Sequence, residues 1–498
     1  MSTFQLNNQA YTVEALEALL ESKQKVELGN DAIEKIAACR RYLDEKVSTT
    51  DELIYGVNTG FGSLCNEAIS VDDLQKLQVN LVRSHACGTG NTVPLSIVKK
   101  MLLLKAIGLS FGHSGVQVGT VERLLFFYNN DILPVVYEQG SLGASGDLAP
   151  LAHVALALIG EGEVWHQEEK HPTKVVLEKY GLTPIELRSK EGLALLNGTQ
   201  FMSAYLLKAV IEGKDLLRKF NLIGAMSLEA YDGRLNPFIA SVNEVRNQVG
   251  QIAVAQEMHA ILSQSELVQQ PKEHVQDPYS FRCIPQVHGA SLDAIRYAEE
   301  IVTREINAVT DNPTIFPEED LVVSAGNFHG QPLAITMDFL AIALAELGSI
   351  SERRIYKLMG GQRKLPAFLV ANPGLNSGFM IAQYTAASIV SQSKQYCTPA
   401  SVDTIDSSNG QEDHVSMGAN AATKLIKVLE NTWQIAGIEL MTAAQGLQFR
   451  NEQKTAPAIL ALHQAIRKRI PFIENDTYMS EFLKAAKALI RAYKLEKK

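Results

Sequence analysis

Residues 333–347 read LAITMDFLAIALAEL, with Thr336, Asp338 and Glu346 as the only polar interruptions. A helix this apolar on nearly every side is expected to be enclosed by other helices. The stretch lies inside a longer helical pattern, Gln331 to Met359, and two more patterns follow, Met380 to Gln395 and Ser416 to Gln448. In the last, Leu425, Leu429, Trp433, Ala436 and Leu440 recur at steps of three and four, which places them on one face. The turns between, MGGQRKLP near Gly360, NPGLNSG from Asn372 and SSNGQEDH from Ser407, suit antiparallel neighbouring helices. The expected fold is mainly α: a long-helix bundle core over residues 206–498, and a mixed, loop-rich N-terminal lobe over residues 1–205 with a small hairpin in GEGEVWHQEEKHPTKVV. His166 and His171 fall on that hairpin's tip and are expected to be solvated.

Length and charge narrow the function. A chain of 498 residues is long enough for extensive cores. Its net charge of −9 includes no long basic run, the densest being Arg467-Lys468-Arg469, so neither nucleic acid nor an anionic membrane is an expected partner. The opening MSTFQLNNQAYTVEALEALLES lacks the pattern of a secretory signal, and the Leu333–Leu347 stretch is too short to span a bilayer, which predicts a soluble, cytoplasmic protein. Five scattered cysteines without CxxC spacing predict free thiols and no metal site.

The common catalytic signatures HExxH, GxxxxGK[ST] and GxGxxG are absent, and GASGD is not GxSxG. What stands out is GSLGASGDLAPLAH, Gly140 to His153, with three glycines and two serines in its first seven residues and with Asp147 expected to cap the helix that follows. In a turn this tight the Gly146 nitrogen can approach the Ala144 carbonyl, because glycine brings no Cβ to crowd a five-membered ring. Loss of water from Ser145 would then leave a conjugated electrophile made from backbone. Other glycine- and amide-rich loops carry Tyr55, Ser84-His85, Asn197, Tyr279, Arg282 and Glu412. A lone Arg among such loops suits a substrate carboxylate. Two tyrosines suit acid and base roles if their pKa values are lowered locally.

With YGVNTGFG (Tyr55–Gly62), NLVRSHACG (Asn80–Gly88), LLNGTQ (Leu195–Gln200), QDPYSFRCIPQVHGA (Gln276–Ala290), TDNP (Thr310–Pro313), GNFHG (Gly326–Gly330) and QEDHVSM (Gln411–Met417), the chain resembles, over essentially its whole length, the family of aromatic amino acid lyases and aminomutases. The resemblance implies that Ala144, Ser145 and Gly146 cyclise to 4-methylidene-imidazole-5-one (MIO), with no external cofactor and no metal. It implies proton transfer by Tyr55 and Tyr279, a carboxylate clamp at Arg282, and Asn197 holding substrate and polarising the ring. Phe328 would pack beside that ring, and Gln276, Gln411 and Asn327 would line the pocket. It also implies a homotetramer whose sites each draw on three chains.

Within that resemblance, Ser84-His85 together with Glu412 is the pattern of members acting on histidine. The implied reaction is non-oxidative elimination of ammonia from L-histidine to trans-urocanate, the first step of histidine degradation. A carboxylate facing the substrate imidazole accepts its N–H or favours its cationic form. Such a polar pocket rejects analogues lacking the group by roughly 10⁴- to 10⁵-fold, against about 10- to 200-fold for apolar shape alone. Three departures bear on the substrate: Gly330 and Gln331 stand where many histidine lyases have Ala and Glu, and His288 stands where Met is frequent. The alternative within the family is a tyrosine or phenylalanine ammonia-lyase or an aminomutase. Helical lyases of the fumarase and aspartase class are set aside because the GSSxMPxKxN loop is absent. A non-catalytic helical scaffold leaves the Tyr, Arg and Glu of the glycine-rich loops unexplained.

Overall fold

The computed structural model describes residues 3–22, 24–50 and 52–495. The chain divides into two compact units, each assembled from three segments: 1–208, 299–337 and 399–423 form the first, and 209–298, 338–398 and 424–498 the second. The long helices include Gln200–Ala230, Ile284–Ile306, Gln331–Leu358 and Gly418–Gln448. The architecture is mainly α, as the periodicity predicts, and helix limits fall within two residues of the patterns above.

The first unit mixes short helices with small sheets. Thr3–Leu6 pairs in parallel with Lys25–Leu28, and Leu133–Pro134 joins the hairpin Glu163–His166/Glu169–Pro172 in a three-stranded antiparallel sheet. The hairpin turns on Gln167 and Glu168, both at positive φ, the backbone a two-residue hairpin loop requires. His166 is not solvated as the sequence suggests: it is buried, with its ring edge-on to Tyr180. Strand alternation turns it inward, where a lone histidine reads from sequence as one more polar hairpin residue. Beside this sheet runs Leu95–Ser110, buried continuously from Met101 to Ser110.

In the second unit Leu425, Leu429, Trp433, Ala436 and Leu440 are all buried, as their spacing predicts. One carboxylate ties three helices there. Glu439, on Gly418–Gln448, takes a two-pronged ion pair from Arg354, on Gln331–Leu358, at 2.5 and 2.8 Å. It also accepts the hydroxyls of Ser227 and Ser351. His288 Nδ1 lies 2.7 Å from Asn221 Oδ1 in the same interior, and burial, with Arg354 nearby, holds its pKa well below the ordinary histidine value.

The helix containing residues 333–347 departs from expectation in two ways. It runs to Leu358, as its pattern predicts, and over that length it is long and apolar enough to cross a membrane by length and composition, which the 333–347 stretch alone is not, with 67% of its apolar window buried by the rest of the protein. It is also not enclosed all round: Ile335, Phe339 and Ile342, at i, i+4 and i+7, leave one apolar stripe exposed. Composition records hydrophobicity on every face, but one chain does not cover every face.

Removing one member of a buried ion pair leaves the other charged and unpaired, typically at a cost of about 3 to 5 kcal/mol. Glu439→Gln is therefore expected to lower the denaturant unfolding midpoint sharply, by far more than a substitution at an exposed pair such as Lys484–Glu481.

Candidate active site

The turn at Gly140–Asp147 is rigid. Gly146 N–H donates to the Gly143 carbonyl at 3.3 Å, closing a β-turn with Ala144 and Ser145 at its centre. Ser145 has φ +52°, a left-handed conformation that costs a residue with a side chain of order 1 kcal/mol. Gly146 has φ +79°, and a Cβ there would lie 2.2 Å from the Gly198 carbonyl oxygen and 3.1 Å from that of Phe328. Only glycine fits. Ser141 Oγ donates to the Gly146 carbonyl at 3.1 Å, and Met417 N–H to the Leu142 carbonyl at 3.0 Å. Ala144 is nearly buried against Val415 and Met417.

The turn rests on Asn197–Gln200. Asn197 Nδ2 donates to the Ser145 carbonyl at 2.7 Å, and Asp147 N–H to the Gly198 carbonyl at 2.8 Å. Asp147 does not cap the helix it precedes, Leu148–Leu158. Its ψ of 50° is outside the extended region a cap needs, and its carboxylate instead accepts Phe201 and Met202 N–H at 3.0 and 3.1 Å, in the first turn of Gln200–Ala230. The cap is real but serves another helix. Beneath the loop, Lys105 Nζ donates to the Asn197 carbonyl at 2.6 Å and to Gln200 Oε1 at 3.3 Å. Burial drives the two charges in opposite directions, the Asp147 carboxyl up to about 7 and the Lys105 ammonium down to about 7. Lys105 escapes a motif search, although a single charge within MLLLKAIGLS is a signal of its own.

A cavity of about 550 Å³ opens over the turn, lined in part by Tyr55, Ser84, His85, Leu193, Ser145 and Glu412. Five of these six are residues named from the sequence, and the first unit alone brings them together. Ser145 Oγ donates to Glu412 Oε1 at 3.3 Å, while Ser407 Oγ donates to Oε2 at 3.0 Å and orients the carboxylate. Ser84 Oγ and His85 Nδ1 are 3.0 Å apart at the end of Leu74–His85. Burial lowers the His85 pKa, opposed by a Leu81 backbone hydrogen bond and by Glu412. Tyr55 Oη accepts Gly62 N–H at 3.2 Å. Its pKa is raised, by burial first and by Glu412 in addition, not lowered as acid–base duty in the free site would favour. Phe328 is half-buried with its carbonyl beside Gly146; Asn327 and Gln411 are exposed and outside this cavity's lining.

Gln276, Tyr279 and Arg282 belong to the second unit, where they line a separate cavity of about 630 Å³. Arg282 Nε donates to the Asp277 carbonyl at 2.9 Å, its guanidinium stacks 4.5 Å over the Tyr279 ring, and Tyr279 is 70% exposed. Asp277 is clamped by Arg363 at 2.6 Å and by Arg234 N–H at 2.7 Å, so the segment carrying Tyr279 is anchored at its base. Among the described residues no group of three or more His, Cys, Asp or Glu side chains has metal-site geometry.

A mainly α chain with a glycine-built turn beneath an acid- and imidazole-lined cavity defines a class, and the chain belongs to the aromatic amino acid lyases, whose family model matches residues 11–468. It is 50% identical to the histidine ammonia-lyase of Deinococcus radiodurans over 459 residues, covering 91% of this chain and 87% of that protein. The crystal structure of histidine ammonia-lyase from Trypanosoma cruzi superposes with a TM-score of 0.91 at 40% identity, over 99% of this chain and 94% of that one. Tyrosine aminomutase from Streptomyces globisporus gives 0.92 at 34% identity, over 98% and 97%.

The Asp147 shift sets a pH dependence. Between the carboxyl's ordinary value of 3.8 and about 7, the folded chain retains a proton that the unfolded chain releases, so this group's contribution to stability falls as pH rises through that window. Asn in its place keeps an acceptor for Phe201 and Met202 N–H without the charge. The unfolding midpoint of Asp147→Asn, measured against the wild type, is expected to improve from pH 5 to pH 7.

Proposed function

We propose that the protein eliminates ammonia from L-histidine to give trans-urocanate, the opening step of histidine degradation, using an electrophile formed from Ala144, Ser145 and Gly146. The observation that carries the reading is the cavity that joins Glu412, Ser84 and His85 to the Ser145 turn. A carboxylate held by Ser407, facing the floor of that cavity, is a partner for an imidazole N–H and has no counterpart on a phenylalanine ring.

The residues fit the prosthetic group the family uses. The turn is preformed, its third residue admits no side chain, and Asn197 Oδ1 is buried without a protein partner while Nδ2 holds the Ser145 carbonyl. When formed, the MIO group supplies an electrophile that turns the substrate's amine into a better leaving group. The chain's own residues do the rest. Asn197 directs its amide dipole at the oxygen on which charge develops. Glu412 and His85 hold the substrate ring, and Arg282 takes the α-carboxylate as a planar two-pronged partner. Tyr55 and Tyr279 move protons at the β-carbon and the amine; a substrate ammonium beside the buried Tyr55 phenol favours the ionised form that burial opposes.

The working assembly is a homotetramer in which Tyr279 and Arg282 of one copy reach the turn of another. The exposed stripe Ile335, Phe339 and Ile342 supports burial between copies, and the exposure of Tyr279 supports delivery to a site outside its own unit. The proposed setting is cytoplasmic.

Purified protein is expected to be lighter than the unmodified chain by two waters and to convert histidine to a product with conjugated ultraviolet absorbance. Ser145→Ala and Gly146→Ala should each retain full mass and lose turnover, and Glu412→Gln should cut kcat/KM for histidine by roughly 100-fold or more. Full mass in the wild type, or preference for tyrosine or phenylalanine, overturns the reading. Tyr55→Phe and Tyr279→Phe chains, each inactive alone, are expected to regain activity when co-expressed as mixed oligomers.

A further inference from the structure

Lys105 is a buried charge that the reaction as described leaves unused. It sits in the apolar helix Leu95–Ser110, is 2% exposed, and among the described residues has no carboxylate at ion-pair distance. The charged groups nearest in effect are Asp311, Lys190 and Asp147, and Lys190 is itself ion-paired to Asp311. Burying an ammonium without a counter-ion is costly, so its retention points to what it grips.

It grips one turn at two points, the Asn197 carbonyl at 2.6 Å and Gln200 Oε1 at 3.3 Å. Gln200 Nε2 in turn donates to Thr310 Oγ1 at 2.9 Å, and Thr199 Oγ1 donates to Glu305 at 2.5 Å. The Asn197–Gly198 peptide is thus held from below by a charge-assisted hydrogen bond. From above, the same two residues hold the catalytic turn, through Asn197 Nδ2 on the Ser145 carbonyl and the Gly198 carbonyl on Asp147 N–H. If the lower bond is lost, the Asn197 carbonyl loses its anchor, and the residues that make both upper contacts are held less firmly.

We propose that Lys105 is a positioning residue that acts through Asn197, fixing the Asn197–Gly198 peptide so that the Ser145 carbonyl stays engaged during cyclisation and turnover. The inference rests on the function proposed above and deepens it by assigning a residue that touches neither substrate nor the Ala144–Gly146 turn.

The test is Lys105→Met, which keeps an unbranched chain one atom shorter and removes every donor, with Lys105→Arg as the conservative rescue. Misplacement of a reacting group by about 1 Å costs on the order of 100-fold. Lys105→Met is accordingly expected to lower kcat by that order with KM within about 3-fold of wild type, and to leave a larger share of chains at full mass. Lys105→Arg should recover part of both. A structural lysine would instead lower the unfolding midpoint and leave kcat of the folded, cyclised fraction intact. Because Lys105 acts through Asn197, the double variant Lys105→Met/Asn197→Ala should be no slower than Asn197→Ala alone. Complete cyclisation with wild-type kcat in Lys105→Met, or additive losses in the double variant, overturns the inference. If Lys105→Met fails to fold, Lys105→Gln takes its place in the same cycle with the same deciding results. A wild type that neither loses water nor turns over histidine overturns the functional reading and this inference with it; normal wild-type maturation beside a normal Lys105 variant overturns this inference alone.

Discussion

Gly146 and Gly198 meet backbone to backbone, and the site is built around that approach. A methyl group on Gly146 would stand 2.2 Å from the Gly198 carbonyl oxygen, so the two segments approach this closely only because residue 146 carries no side chain. The same proximity lets Asp147 N–H reach Gly198 and Asn197 Nδ2 reach Ser145. It also holds Ser145 in a left-handed conformation that an isolated turn would not favour. The strain is small beside the four hydrogen bonds that flank it, at Gly143, Ser141, Asn197 and Gly198, each worth about 1 kcal/mol net.

Holding two backbones this close, away from water, brings charges into the interior with them. Asp147 offsets the cost by accepting two helix N-terminal N–H groups, and Lys105 by donating to a carbonyl and an amide. Neither is neutralised by an ion pair, and desolvation therefore moves their pKa values toward each other from opposite sides. The second unit solves a similar problem differently. Arg354 and Glu439 are both fully buried but paired directly, with two serine hydroxyls filling the remaining acceptor positions. A direct pair suits a joint between long helices. Hydrogen bonds to backbone suit a loop whose peptide planes must point in set directions.

Some readings from sequence failed for identifiable reasons. His166 lies inward because strand alternation, not polarity, sets its face. Asp147 stands where a cap for the next helix is expected, but its own ψ turns the carboxylate to a helix more than fifty residues away along the chain. Tyr55 keeps its proton more tightly than its proposed role requires, because the cavity that shapes the site also removes water from it. Lys105, which the reading of motifs passes over, has partners that nothing local to its helix names, Asn197 and Gln200, some ninety residues on.

The amino-acid sequence by itself determined the mainly helical class, since three- and four-residue spacing is a local property, as at Leu425, Leu429, Trp433, Ala436 and Leu440. It also determined that the chain can turn tightly at Gly146, because the absence of a Cβ is written in the residue type. Only the tertiary structure decided that Tyr55, Ser84-His85, Ser145 and Glu412 share one cavity, and which buried groups orient them. The Ser145–Glu412 hydrogen bond alone joins residues 267 positions apart. Their distances follow from how helices and loops pack, and no periodicity along the chain encodes that.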